Sequence, residues 1–201
     1  MISLISWSAV ASNPSKLDDG SHCVAYRVEK VMFLVNSSMV VGKNCDVSAQ
    51  VLPEVGGLYR IEVQIPVSSF QSGDSERDED VRKILKSDVR PELTFRTKPL
   101  SVEQWRELFA QGAFELEGEL TIGSKSFPLK VSSKYLEKDD NMEVDGTSRV
   151  LFKDFELTPP RVAAGLVVKA KPSIELNFHL LGSRILGADT IKPIRATEVV
   201  K

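Results

Sequence analysis

The chain has 201 residues, with 26 basic and 28 acidic side chains and a formal net charge of −2. That length suits one domain with a substantial core, since strand-rich sandwiches and barrels of this size are commonly single units. The two signs of charge are interspersed, which leaves no footprint for nucleic acid or an anionic membrane surface, and no apolar run approaches the roughly 20 residues of a transmembrane helix.

The N-terminus, "MISLISWSAVAS", has the apolar residues and small-residue end of a signal peptide but no basic n-region. It leaves the compartment undecided. Soft metal ligands are few: Cys23, Cys45, His22 and His179. No CxxC or HExxH spacing accompanies them, so no metal site is expected. A disulfide in an exported chain would close a loop of roughly twenty residues; two ordinary thiols are the simpler expectation.

The apolar pattern then runs mostly with period two, which predicts strands. "AYRVEKVMFLV" (25–35) and "MVVGKNCDVSAQVL" (39–52) supply the first two. In "YRIEVQIPV" (59–67), Ile61, Val63, Ile65 and Val67 alternate with Arg60, Glu62, Gln64 and Pro66, giving one dry and one wet face. "SFQSGDSERDEDVRKIL" (69–85) interrupts the pattern with dense charge. Val81, Ile84 and Leu85 form a helical stripe there, Asp74 or Ser75 can cap it, and the acidic residues near its start suit the positive end of the dipole. Paired carboxylates in a desolvated cleft could do acid and base work. In one solvated helical turn beside Arg77 and Arg82, a capped, salt-linked helix start is the expected role, with the two arginines as candidate contacts for a polar head group.

"ELTFRT" (92–97) is the next strand, followed by a second short helix, "SVEQWRELFA" (101–110), with Ser101 as cap and Trp105, Leu108 and Phe109 as its apolar stripe. "FELEGELTI" (114–122) and "SFPLKVSSKYL" (126–136) alternate cleanly, with Gly123 supplying a turn between them. "EKDDN" (137–141) reads as another turn, and "EVDGTSRVLFKDFEL" (143–157) as a weaker strand running into irregular chain. "TPPRVAAGLVVKAKP" (158–172) reads as a loop crossing over the barrel or a flexible lid. In "SIELNFHLLG" (173–182), His179 falls opposite Phe178 and Leu180, as a surface or hydrogen-bonded histidine. No GxSxG, GxGxxG or Walker pattern occurs.

These elements predict an all-β fold: about eight serial antiparallel strands, with one or two short helices as plugs. Closure into a barrel removes the exposed edges, and a barrel of that size encloses side chains or one slender ligand. Alternation places Ile61, Val63, Ile65, Phe95, Phe114, Leu120, Phe127, Leu129, Leu176 and Phe178 inward, as the candidate lining. A one-residue register shift would invert any of these strands.

Four stretches taken in order, "IPVSSFQSGDSERDEDVRKIL", "RPELTFRT", "GELTIGSKSFPLKV" and "KDFELTPP", resemble the successive signatures of the YceI-like family, over roughly residues 40–182. The resemblance implies a lipocalin-like barrel whose elongated pore holds a polyisoprenoid, such as a prenyl quinone or prenyl pyrophosphate. It also implies a bacterial protein, often exported to the periplasm or secreted, and often a homodimer. It divides the chain into an N-terminal segment, 1–36, with an opening strand unlike the family's; the barrel, 37–185; and a tail, 186–201. The expected function is non-enzymatic: binding, sequestering or carrying a polyprenyl lipid, with no other cofactor. The rival is an interaction module with a solid core, whose outer surface, including Trp7, engages a protein or polysaccharide.

Overall fold

The computed structural model describes residue 17 and residues 21–32, 36–138, 141–163 and 167–193. Its strands, in chain order, are β1 (Cys23–Met32), β2 (Asn36–Asn44), β3 (Ser48–Glu54), β4 (Leu58–Pro66), β5 (Glu92–Thr97), β6 (Leu100–Ser101), β7 (Ala113–Ile122), β8 (Lys125–Lys138), β9 (Asn141–Leu151), β10 (Arg161–Ala163), β11 (Val167–Leu181) and β12 (Ile185–Leu186). Helix α1 spans Ser75–Leu85 and α2 spans Val102–Ala110.

One curled sheet takes the order β12-β3-β4-β5-β7-β8-β9-β11-β1-β2, with β6 on β4 and β10 on β11. All pairs are antiparallel except β12 with β3. The strand between residues 39 and 52 is two strands, because Cys45, Asp46 and Val47 break it. The segment expected to cross as a loop instead pairs: Arg161–Ala163 lies against Lys169–Val167, and β11 runs on from there. The β-branched Val167 and Val168 favour that extended backbone. Residues 139–140 of the "EKDDN" turn and Trp7 lie outside the described residues.

The curl is drawn shut by a seam, not a full ladder. Lys43 and Gln71 exchange backbone hydrogen bonds of 2.8 Å in both directions. Beside them, the buried Asn44 donates from Nδ2 to the Pro66 carbonyl at 2.7 Å. Its Oδ1 accepts from Asp46 N–H at 2.9 Å. Cys23 and Cys45 form a disulfide next to this seam, so the expectation of two free thiols is corrected. The reason is register: β1 and β2 pair as Val24↔Asn44, which makes Cys23 and Cys45 the next opposed positions.

Alternation decides what faces in. Along β7, Phe114, Leu116, Gly118, Leu120 and Ile122 are buried while their neighbours are exposed or half-buried. Glu62 of β4 breaks the wet-face rule. It is on the outer face yet 4% exposed, covered by Arg96 Nε at 2.6 Å and Gln50 Nε2 at 2.9 Å. Burial opposes its ionisation, but those hydrogen bonds outweigh it and hold the carboxyl below its ordinary value.

The helices close the ends. Ser101 caps α2 as expected: its hydroxyl accepts from Gln104 N–H, and Gln104 Oε1 accepts from Ser101 N–H, forming a capping box. This aims Trp105 and Phe109 inward: Trp105 is fully buried and donates from Nε1 to the Tyr59 carbonyl at 2.9 Å. Helix α1 starts at Asp74, whose side chain accepts from Glu76 and Arg77 N–H. It lays Val81 and Leu85 on the rim of the core.

Candidate functional site: an apolar tunnel

Two adjoining cavities run through the barrel. The narrow one, about 120 Å³, lies toward α2 and β12, with Phe109 and Ile185 in its wall. The wide one, about 400 Å³, lies under α1. Tyr26, Phe70, Leu93, Leu120 and Leu176 line both, so the two spaces meet at that ring of side chains. A core packed solid, as the interaction-module reading requires, is not what the barrel contains.

The wall of the narrow cavity includes Ile61, Val63 and Ile65 of β4, Phe95 of β5 and Leu120 of β7. Leu129 of β8 and Leu176 and Phe178 of β11 complete this part of it. Phe114 and Phe127 share the inward face without reaching either cavity. Phe109 meets Phe114 edge-on at 5.8 Å; Phe155 meets Phe127 edge-on at 5.6 Å. Arg77 lines the wide cavity, whereas Arg82 is half-buried on α1 outside its wall. Arg77, Val81 and Ile84 follow a helical i, i+4, i+7 stripe toward the lumen, and Arg82 falls off it. The sequence-based list lacks Val24, Tyr26, Leu116, Val131, Val144 and Ile174, all in the cavity walls. Alternation in β1, β7, β8 and β11 carries the signal for all but Val144.

Charge is confined to the mouth, while Thr97, Ser148 and Asn177 are the polar residues in the wall of the narrow cavity. At the α1 end the lining includes Lys30, Asp74, Glu76, Arg77 and Asp80. Arg77 is already engaged: Nη2 sits 3.2 Å from Asp74 Oδ2 and Nη1 donates to the Ser72 carbonyl at 3.3 Å. Asp78 accepts from Ser72 N–H at 2.9 Å and from its hydroxyl at 2.6 Å, tying the helix to the chain before it. Inside, the Thr97 hydroxyl accepts from Ile61 N–H at 2.9 Å. The Tyr26 hydroxyl is pushed up to about 12, by burial first and then by the Asp78 carboxylate, with Arg77 opposing.

Two buried imidazoles flank the seam end of the barrel. His179 Nδ1 lies 2.6 Å from Asp145 Oδ1, on the face opposite Phe178. His22 Nδ1 accepts from Leu181 N–H at 3.1 Å. Burial, followed by the charges of Arg184 and His179, lowers His22 to about 4. Among the described residues no group of three or more His, Cys, Asp or Glu side chains could hold a metal ion. No helix there is long and apolar enough to cross a membrane.

No curated protein sequence matches the chain. Solved structures do match in fold. Burkholderia cenocepacia BcnA aligns with a TM-score of 0.56 at 19% identity, over 78% of this chain and 95% of that one. A polyisoprenoid binding domain from Saccharophagus degradans, implicated in plant cell wall breakdown, aligns with a TM-score of 0.55 at 9% identity, over 79% and 92%. A Campylobacter jejuni YCEI protein aligns with a TM-score of 0.53 at 16% identity, over 90% and 97%. The family model for the YceI-like domain matches residues 16–181, and with its curled antiparallel sheet and apolar tunnel the chain belongs to the YceI-like family.

Proposed function

We propose that this protein binds a polyprenyl lipid in its tunnel and sequesters or carries it, without catalysing a reaction. The observation that carries this reading is the pair of adjoining apolar cavities along the barrel. Each buried methylene contributes roughly 0.8 kcal/mol, so a five-carbon unit in a dry tunnel contributes about 4 kcal/mol on that scale. A few such units offset the roughly 4–15 kcal/mol lost on association. The fold shared with the Saccharophagus degradans domain, itself described as polyisoprenoid binding, supports the same ligand class.

The mouth favours a neutral head group over a phosphate. Three carboxylates, Asp74, Glu76 and Asp80, face two cations, Lys30 and Arg77, and Asp74 already occupies Arg77. An anionic head entering there meets net like charge. A quinone-type head suits the site better, with Arg77 as its candidate polar contact. The Cys23–Cys45 disulfide fits an oxidising compartment and so an exported protein. The homodimer common in the family is extended here as a proposal, tested by sedimentation.

Organic extraction of the purified protein followed by mass spectrometry tests the reading. A stoichiometric prenyl-chain lipid with an uncharged head is the expected result. Recovery of no lipid from several expression hosts, with no uptake of added prenyl quinone, would refute it.

A further inference from the structure

Tyr26 and Phe178 both stand on the lumen face of neighbouring strands, and neither ring projects across the lumen. Each leans sideways over a glycine on the next strand out. Tyr26 of β1 is directly opposite Gly42 of β2, and Phe178 of β11 is directly opposite Gly146 of β9. A Cβ on Gly146 would lie 2.2 Å from Phe178 Cε1 and Cζ. One on Gly42 would lie 2.2 Å from Tyr26 Cε1 and 2.5 Å from its hydroxyl oxygen. Real Cβ atoms do not approach other atoms so closely, so any side chain at either position displaces the ring.

The direction of that displacement follows from the register. Tyr26 is also opposite Leu176, and Phe178 opposite Val24, on the strand pair β1–β11 between the two glycines. The rings therefore lean apart, Tyr26 toward β2 and Phe178 toward β9. The floor between them is left to Leu176 and Val24, which line the narrow cavity. Pushed off its glycine, a ring has β1–β11 and the lumen to move into.

We propose that Gly42 and Gly146 set the bore of the tunnel's inner half, and thereby the longest prenyl chain it accepts, by letting Tyr26 and Phe178 lie flat against the wall. This rests on the lipid-binding reading and adds to it the residues that fix chain length. Phe178, in the wall of the narrow cavity, sets the width there, and Tyr26, lining both cavities, sets the passage between them.

The test is a calorimetric titration of wild type, Gly146→Ala, Phe178→Ala and the double variant with a ladder of uncharged all-trans prenyl ketones of increasing isoprene number. Circular dichroism and thermal melts accompany it. Gly146→Ala is expected to weaken the longest ketone that wild type binds by at least about tenfold, leaving the shortest within about twofold. Phe178→Ala is expected to extend the accepted length. In the double variant the added methyl group on β9 has no ring to displace, so the profile should match that of Phe178→Ala within about twofold. Gly42→Ala supplies a second, independent site should Gly146→Ala melt early, and it should narrow the profile in the same way. An unchanged length profile in the folded glycine variants, or a double variant that keeps the full Gly146→Ala loss, overturns the inference while leaving lipid binding intact. Failure of wild type to bind any ketone overturns the lipid reading, and this inference with it.

Discussion

Breaking the Cys23–Cys45 bond without changing any residue isolates what the seam contributes. The cysteines are 22 residues apart in sequence, and closing a loop of that length removes denatured-state entropy equivalent to about 3 kcal/mol at 25 °C on the chain-entropy scale. For a domain of this size each kcal/mol shifts the melting temperature by about 2–4 °C, so reduction should lower it by about 6–12 °C. The native state should survive, because Asn44 still bonds the Pro66 carbonyl and Lys43 still pairs with Gln71. What changes locally is β2. It ends the sheet path, paired along one side with β1 and held on the other by that short bridge. Thermal melts with and without a phosphine reductant, combined with amide exchange of β1 and β2, provide the measurement. A shift below about 2 °C, or unchanged exchange in β2, would show that the seam holds without its covalent link and would refute the reasoning. The Cys23→Ala, Cys45→Ala pair should reproduce the reduced protein.

Buried polar groups and the mouth supply the other tests. His22 titrates near its ordinary 6.5 when unfolded and at about 4 when folded. The unfolded chain thus takes up a proton first as pH falls, and stability should drop by up to about 3 kcal/mol between pH 6.5 and 4. Chemical denaturation across that range measures it, and His22→Gln should flatten the slope. Glu62→Ala strands Gln50 and a half-exposed Arg96, and should cost about 2 kcal/mol in urea titrations, less than a fully buried pair because water reaches Arg96. Glu62→Gln should recover part of the loss. Asp74→Asn keeps a capping oxygen for Glu76 and Arg77 N–H but removes the ion pair that occupies Arg77. Binding of a prenyl phosphate at low salt should rise several-fold over binding of the matching prenyl ketone, and an unchanged ratio would remove the electrostatic account of head-group choice.

The sheet was legible because a barrel wall is a period-two problem, and "YRIEVQIPV" or "FELEGELTI" solves it within one strand. The helices were legible from their caps: Ser101 announces α2, and Asp74 or Ser75 announces α1, of which the structure uses Asp74. Facing, however, is not the same as lining. Phe114 and Phe127 lie on the correct side but are covered by Phe109 and Phe155, which come from outside the strands that alternation reads. Glu62 shows the converse, an outward carboxylate sealed by cross-strand neighbours that no local pattern displays. The disulfide depended on the antiparallel register between β1 and β2, which no local pattern in either strand announces. A glycine within a strand has no side chain to pack, and the purpose of Gly42 and Gly146 emerges once the opposite residue is known to be Tyr26 or Phe178.

A tunnel lined with Ile, Val, Leu and Phe is built from the same side chains as a solid core, so something must keep it from collapsing. The outer face shows what. Glu175 bridges β1 and β9 from its place on β11, 2.8 Å from Arg27 and 3.3 Å from Arg149. Glu62 does the same among β3, β4 and β5 through Gln50 and Arg96, and Glu117 of β7 pairs with Lys98 and Lys130. These contacts reinforce from outside the backbone ladders that set strand spacing, while Trp105 and Phe109 brace one end from within. The inward side chains pack on one another as the core, and part of their surface stays open as apolar lining that a ligand can still cover. An occupant that binds the folded state alone then adds RT ln(1 + [L]/Kd), about 2.7 kcal/mol at a hundredfold excess over Kd. A lipid-accepting tunnel should therefore melt several degrees higher with a prenyl ketone of fitting length. A barrel whose cavities are packing defects should not respond to chain length at all.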